Sequence, residues 1–244
     1  MRCNVQDGAP AGADGEAEDK SIKGFKTNGS VDGRLSAMSG VGGVVIVAAV
    51  LPVKVTKTSD GAYDIVWDSH RAVSKLRNPK RKFKYVGWVG LQVPEGDQQA
   101  LRDRLVRDFN CFPIFLDHGI AYRVFDIFCQ SVLSPLFHHI IELAEEGSDA
   151  CWNWDHWHEY EKVNKSFSDL ALTTTGQGGP YAAGDRLWVL DYEMMLVPHY
   201  ASRKNPNAPI GYSFLSVFPS TEVFRVLPVR IEVRVLLLAL CAWA

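Results

Sequence analysis

The sequence is poor in the features that several common chemistries require. Its five cysteines, Cys3, Cys111, Cys129, Cys151 and Cys241, are an odd set with no C-x-x-C pair. That spacing excludes a disulfide framework or a zinc ribbon and leaves reduced thiols in a cytoplasmic protein as the expectation. Neither sign of charge dominates: 26 Lys and Arg stand against 28 Asp and Glu, for a net charge of -2. Nucleic acid and anionic membrane are therefore not expected partners. The longest apolar run, near the C-terminus within 231–244, is about a dozen residues, short of the ~20 that a membrane helix requires; a helix docked on a sheet or on a partner is the expectation there. No basic n-region with an apolar core opens the chain, so no secretory signal is expected. The glycine-rich SGVGG at 39–43 precedes a strand and lacks Gly-Lys-Ser/Thr, which excludes a phosphate loop. No G-x-G-x-x-G follows the first strand either. A nicotinamide-dependent dehydrogenase is left with fold pattern alone, and no cofactor is expected.

What is present is ordinary globular material: 47% hydrophobic and 22% charged residues in a chain of 244, enough to bury one sizeable core. Residues 1–41, rich in Gly, Ala, Asp and Ser, cannot offset the entropy of ordering and are expected to be a disordered tail. Residues 42–244 are expected to form a single domain.

Strand-like and helix-like stretches alternate through it. VVIVAAV at 44–50, the start of FKYVGWVGLQV at 83–93, and CFPIFLD at 111–117 read as strands. DQQALRDRLVRDF at 97–109 is an amphipathic helix with Leu101, Leu105 and Phe109 at i, i+4 and i+8. Between 184 and 230 the order is RLWVL, a helical segment with a basic exit, IGYSFLSVF, then Pro219, Ser220 and Thr221 capping another helix. Strand–helix–strand–helix is the unit of a parallel α/β sheet, and ligands of such sheets sit beyond the carboxyl ends of the strands. Asp191, Tyr192 and the 216–221 loop fall there.

Some residues invite sharper readings than their spacing supports. Asp191 alone reads as a strand-end cap or turn former, and Trp88 alone as a core tryptophan. The segment 151–172 holds Cys151, Asp155, His156 and His158, but ligands one or two residues apart on a helix point to different faces and chelate poorly. Trp157, Tyr160, Asn164, Phe167 and Leu170 follow a helical stripe instead, so a packed helix and no metal are expected.

Two segments carry a longer pattern. WVLDYEMMLVP and IGYSFLSVFPSTEVFRVLPVR resemble W-V-H-D-Y-H-L-M-L-L-P and I-G-F-F-L-H-x-P-F-P-S-S-E-I-F-R-x-L-P-V-R of trehalose-6-phosphate synthases. Those are retaining glycosyltransferases that join glucose from UDP-glucose to glucose 6-phosphate. The match is to their acceptor-side half and extends over roughly residues 44–240. It implies a Rossmann-like, mostly parallel α/β sheet flanked by helices, equivalent to the N-terminal domain of a GT-B glycosyltransferase, with the donor domain absent.

By the same resemblance Trp88 is the platform for the acceptor sugar, while Asp191 and Tyr192 face its hydroxyls. Several family positions are changed. Ala49 and Val50 stand for an Asn-Arg pair whose arginine grips the sugar phosphate. Ser69-His70-Arg71-Ala72 replaces a Gly-Gly turn that approaches the donor. Phe125 stands for a phosphate-binding tyrosine, Asp126 for an asparagine and Ser134 for a tryptophan. Leu190 and Glu193 replace two histidines, and Leu215 replaces the active-site histidine. No residue is therefore assigned a catalytic role. The resemblance implies glucose 6-phosphate as a ligand and a full-length synthase subunit as a partner, and argues against UDP-glucose binding without a second domain. The expectation is a catalytically impaired, truncated relative with a regulatory or complex-forming role. Two alternatives stand beside it: an active half completed by another chain, and a non-catalytic sugar-phosphate sensor.

Overall fold

The computed structural model describes residues 42–76, 83–138 and 151–215. The tail expected at 1–41, the 216–221 loop, the helix after it and the apolar C-terminal run lie outside the described residues.

Val44–Val50 forms β1, an unbroken apolar strand of the kind found where both faces are covered. Val45 and Val47 pack into one core, Ile46 and Ala48 into the other. Strands β2 (Val53–Lys57) and β3 (Tyr63–Trp67) make an antiparallel hairpin apart from the main sheet. Then follow β4 (Phe83–Trp88), helix α1 (Glu95–Phe109) and β5 (Cys111–Ile114). Helix α2 (His118–Phe137) is next, and its middle, Tyr122–Leu133, is wound as a π-helix. Helix α3 is Trp154–Ala171, β6 is Arg186–Leu190, α4 is Val197–Lys204 and β7 is Ile210–Ser213. The main sheet has the order β5-β4-β1-β6-β7, and every neighbouring pair is parallel. The doubly wound α/β architecture expected from the sequence is present, with β1 at its centre.

The helix ends follow from local chemistry. Asp117 caps α2 by accepting from the backbone N–H of Gly119 at 2.8 Å, and Asn153 caps α3 by accepting from Asp155 at 2.8 Å. Helix α1 carries Glu95 and Asp97 in its first turn and stops at Asn110 in the left-handed conformation. By length and composition α2 could cross a membrane. Here Val124, Phe128, Cys129, Leu133 and Phe137 bury that apolar face against the sheet and α3.

Two features fix the carboxyl edge of the sheet. The register between β1 and β4 slips by one residue between Val47 and Val50, a bulge that brings Val50 opposite Trp88. Gly87 permits it: a Cβ there would lie 2.7 Å from the backbone nitrogen of Leu51. At the opposite edge, Lys84 on β4 reaches across β1 to the buried carboxylate of Asp185 at 2.8 Å, tying the entries of β4 and β6 together.

Candidate functional site

The parallel order brings the ends of β1, β4, β6 and β7 to one edge, and most of the residues singled out from the sequence gather there. Trp88 ends β4, half-buried, with its ring stacked on Phe125 of α2 at 5.7 Å between centroids and 23° between planes. Its indole N–H is buried and meets no acceptor among the described residues. Val50 and Ala49, both half-buried, end β1 alongside it. Asp191 and Tyr192 follow β6, separated from β4 only by β1.

Asp191 does cap its own turn. Its carboxylate accepts from the backbone N–H of Tyr192 at 2.9 Å and from that of Leu215. Its backbone sits at φ 63° and ψ 174°, a region that side-chain-bearing residues rarely occupy. The conformation is held from both sides: Asp191 N–H donates to the Ser213 carbonyl at 2.8 Å, and the Tyr212 hydroxyl donates to the Asp191 carbonyl at 3.2 Å. Burial raises the carboxyl's pKa, opposed by the two N–H groups and by the nearby His138.

Burial pushes Tyr192 up to about 12, and a hydrogen bond with the Ser134 side chain works the other way. Ser134 is in turn beside His138, whose Nδ1 donates to the Ser134 carbonyl at 2.7 Å. Glu193 is pushed up to about 7, first by burial and then by the charge of Asp191. Two carboxyl groups with different proton affinities thus stand side by side.

The side chains of Leu190 and Leu215 do not join the cluster, although the Leu215 backbone N–H does. Leu190 is buried on the opposite face of the sheet, as the two-residue period of a strand dictates for a neighbour of Asp191. Leu215 is 58% exposed. Asp126 is exposed on α2.

Asn164 is a residue whose part the sequence reading missed. Fully buried on α3, it donates to the carbonyls of Tyr160 at 3.0 Å and Glu193 at 3.1 Å, and accepts from Leu196 N–H at 3.1 Å. Tyr160 adds a bond from its hydroxyl to the Tyr192 carbonyl at 2.6 Å. Together they clamp the 191–196 turn. The signal was available: an asparagine on the apolar stripe of a helix must be satisfied by something.

The cysteine and histidine readings also have places. Cys111 and Cys129 are buried thiols, both with pKa raised by burial, which leaves them unreactive. Asp155, His156 and His158 line a cavity of about 730 Å³ on the outer side of α3 with Arg123, Glu159 and Lys162. The Arg123 and Glu159 side chains pair bidentately there at 2.7 Å, and none of the carboxyl-edge residues lines it. Among the described residues no group of three or more His, Cys, Asp or Glu side chains could hold a metal ion.

Comparison with known proteins bears on the family and the fold. The pattern of glycosyltransferase family 20 matches residues 42–241. The chain belongs to that family. It is 33% identical over 211 residues to the UDP-forming alpha,alpha-trehalose-phosphate synthase A of Dictyostelium discoideum, covering 86% of this chain and 27% of the relative. It is 32% identical over 215 residues to the 56 kDa subunit of the Saccharomyces cerevisiae synthase, covering 85% and 41%. The chain therefore spans between about a quarter and two-fifths of these relatives' length. Its fold matches that of the N-terminal domain of Candida albicans trehalose-6-phosphate phosphatase with a TM-score of 0.61 at 24% identity, covering 81% of this chain and 38% of that one. This family 20 chain is thus a trehalose-6-phosphate synthase-like protein matching the N-terminal half of its relatives, and its sheet is that of a GT-B N-terminal domain.

Proposed function

We propose that this family 20 chain is a catalytically impaired acceptor-side partner in trehalose synthesis, working in the cytoplasm as a regulatory or complex-forming subunit. The observation that carries the reading is the composition of the carboxyl edge. Trp88, Asp191 and Tyr192 remain at the ends of β4 and β6. Val50, Phe125 and Leu215 stand where the resemblance implies a guanidinium, a phenol and an imidazole. None of the three can donate a hydrogen bond to an oxyanion, and such donors are worth several kcal/mol where charge develops in a transition state. The Saccharomyces cerevisiae relative is named as a subunit, which supports the partnership.

The test is UDP release from UDP-glucose in the presence of glucose 6-phosphate. The purified chain is expected to give no release above a blank, and sustained turnover overturns the impairment. In a pull-down the chain is expected to retain a full-length family synthase. Failure to co-purify at micromolar concentrations removes the subunit role.

A further inference from the structure

Resting on the reading of the carboxyl edge as a sugar-facing site, we infer that this edge takes an unphosphorylated hexose, or a similar neutral polyol, in preference to a sugar phosphate. The charges set the sign. The ionisable groups on the turn after β6 are the carboxyls of Asp191 and of the largely buried Glu193, and the phenol of Tyr192. On the β1 and β4 side the described side chains are Val50, Trp88 and Phe125. His138 and Arg71 are among the basic side chains near this edge. His138 has its Nδ1 committed to the Ser134 carbonyl. Arg71 donates Nε to Asp68 at 2.8 Å and an Nη1 hydrogen to the Leu51 carbonyl at 3.2 Å, so a carboxylate already matches its charge. A phosphate entering here would lose its hydration over apolar side chains and meet two carboxyl groups, while His138 and Arg71 are already engaged.

A neutral sugar meets complementary groups instead. The Trp88 ring stacks on Phe125 and packs against both cores, and the part of this half-buried ring that stays exposed is an apolar surface for the C–H face of a pyranose. Its buried, unpartnered N–H is a donor suited to a sugar hydroxyl. The Asp191 carboxylate has acceptor capacity beyond its two backbone partners, and hydroxyl-to-carboxylate bonds are strong ones. Glu193, pushed up to about 7, is able to accept or donate near neutrality. Strands β4 and β6 flank β1, so Trp88 and Asp191 lie about 10 Å apart, two strand spacings, a gap that a hexose and its hydroxyls can bridge.

Calorimetric titration of the chain at pH 7 with glucose and, separately, with glucose 6-phosphate tests the inference. Glucose is expected to bind in the millimolar range and glucose 6-phosphate at least about tenfold more weakly. Trp88→Ala and Asp191→Asn are expected to lose the glucose signal while circular dichroism stays unchanged. Val50→Arg, at a half-buried strand end beside Trp88, is expected to reverse the preference. Equal or tighter binding of glucose 6-phosphate by the unaltered chain overturns the inference, and its loss in Arg71→Ala would identify Arg71 as the overlooked cation. Absence of binding by either sugar overturns it as well. Neither result touches UDP release or co-purification, on which the proposed function stands separately.

Discussion

Asp191 combines a strained backbone with a side chain that makes the strain tolerable. Its φ of 63° with ψ of 174° costs on the order of 1–3 kcal/mol for a residue with a Cβ. The carboxylate cap on Tyr192 returns about 1 kcal/mol of that. Asp191→Gly should therefore lie within about 1 kcal/mol of the unaltered protein, while Asp191→Ala, which keeps the strain and loses the cap, should be about 1–2 kcal/mol less stable. Urea midpoints of the two variants decide it, and equal midpoints would show that the backbone is not strained. Glu193 gives a pH signature. Its folded value of about 7 lies above the ordinary 4.5, so the folded state holds the proton more tightly than the unfolded chain. The stability it contributes is full below about pH 4.5 and is lost as pH rises through 7. At pH 8 Glu193→Gln should be more stable than the unaltered chain by about 1–3 kcal/mol, with the difference shrinking toward pH 5; parallel profiles would sink this assignment. Asp191 and Tyr192 were legible in the sequence because they end an apolar strand. The pairing of Trp88 with Phe125 and the proton affinity of Glu193 were not, since both depend on contacts between segments far apart in the chain.

Among the elements, strands and helices with clean periodicity were readable: β1 spans the seven residues expected, and α1 begins two residues before the expected start at 97 and ends at Phe109 as expected. Two things were not. The run LPVKV after β1 reads as its continuation, yet the bulge at Val50 turns the chain away and Val53–Lys57 pairs with β3 instead. The π-helical winding of Tyr122–Leu133 was not expected from the sequence, and nothing in the structure explains it. Helix α3 was read as a packed stripe, and it is more than that. Through Asn164 it supplies three hydrogen bonds in a dry interior, one to its own backbone and two to the turn after β6. Asn164→Ala leaves the Leu196 N–H and the Glu193 carbonyl without that partner, and buried orphans of this kind cost about 1–3 kcal/mol each. A loss of about 2–4 kcal/mol in chemical denaturation is expected, together with loss of any ligand response at Asp191. A loss under about 1 kcal/mol would mean that the turn holds itself.

At the scale of the whole molecule the sheet divides two unequal cores. One face joins β1, β4, β5 and β6 to α2, α3 and α4 through large buried side chains such as Phe128, Tyr160 and Phe167. The other joins the sheet to α1 and to the β2–β3 hairpin, and the hairpin contributes Val53, Val55 and Ile65 to it. Its other ties include the Tyr63 hydroxyl donating to Asp97 at 2.9 Å, Arg104 donating to the Tyr63 carbonyl at 2.6 Å, and the Trp67 ring set against Tyr85 of β4 and Phe109 of α1. Along both strands every second residue faces water. Native-state hydrogen exchange should separate these regions, because local opening costs less where fewer apolar contacts must break. The amides of Val45, Ile46 and Val47, on the central strand and fully buried, are expected to exchange only through global unfolding. Those of Val55 and Ile65 should exchange through a cheaper opening with a shallower dependence on denaturant. The Asp191 turn, clamped by α3, should follow β1 and not the hairpin. If hairpin and β1 amides merge into one isotherm at low denaturant, the two cores open as a single cooperative unit and the division drawn here fails.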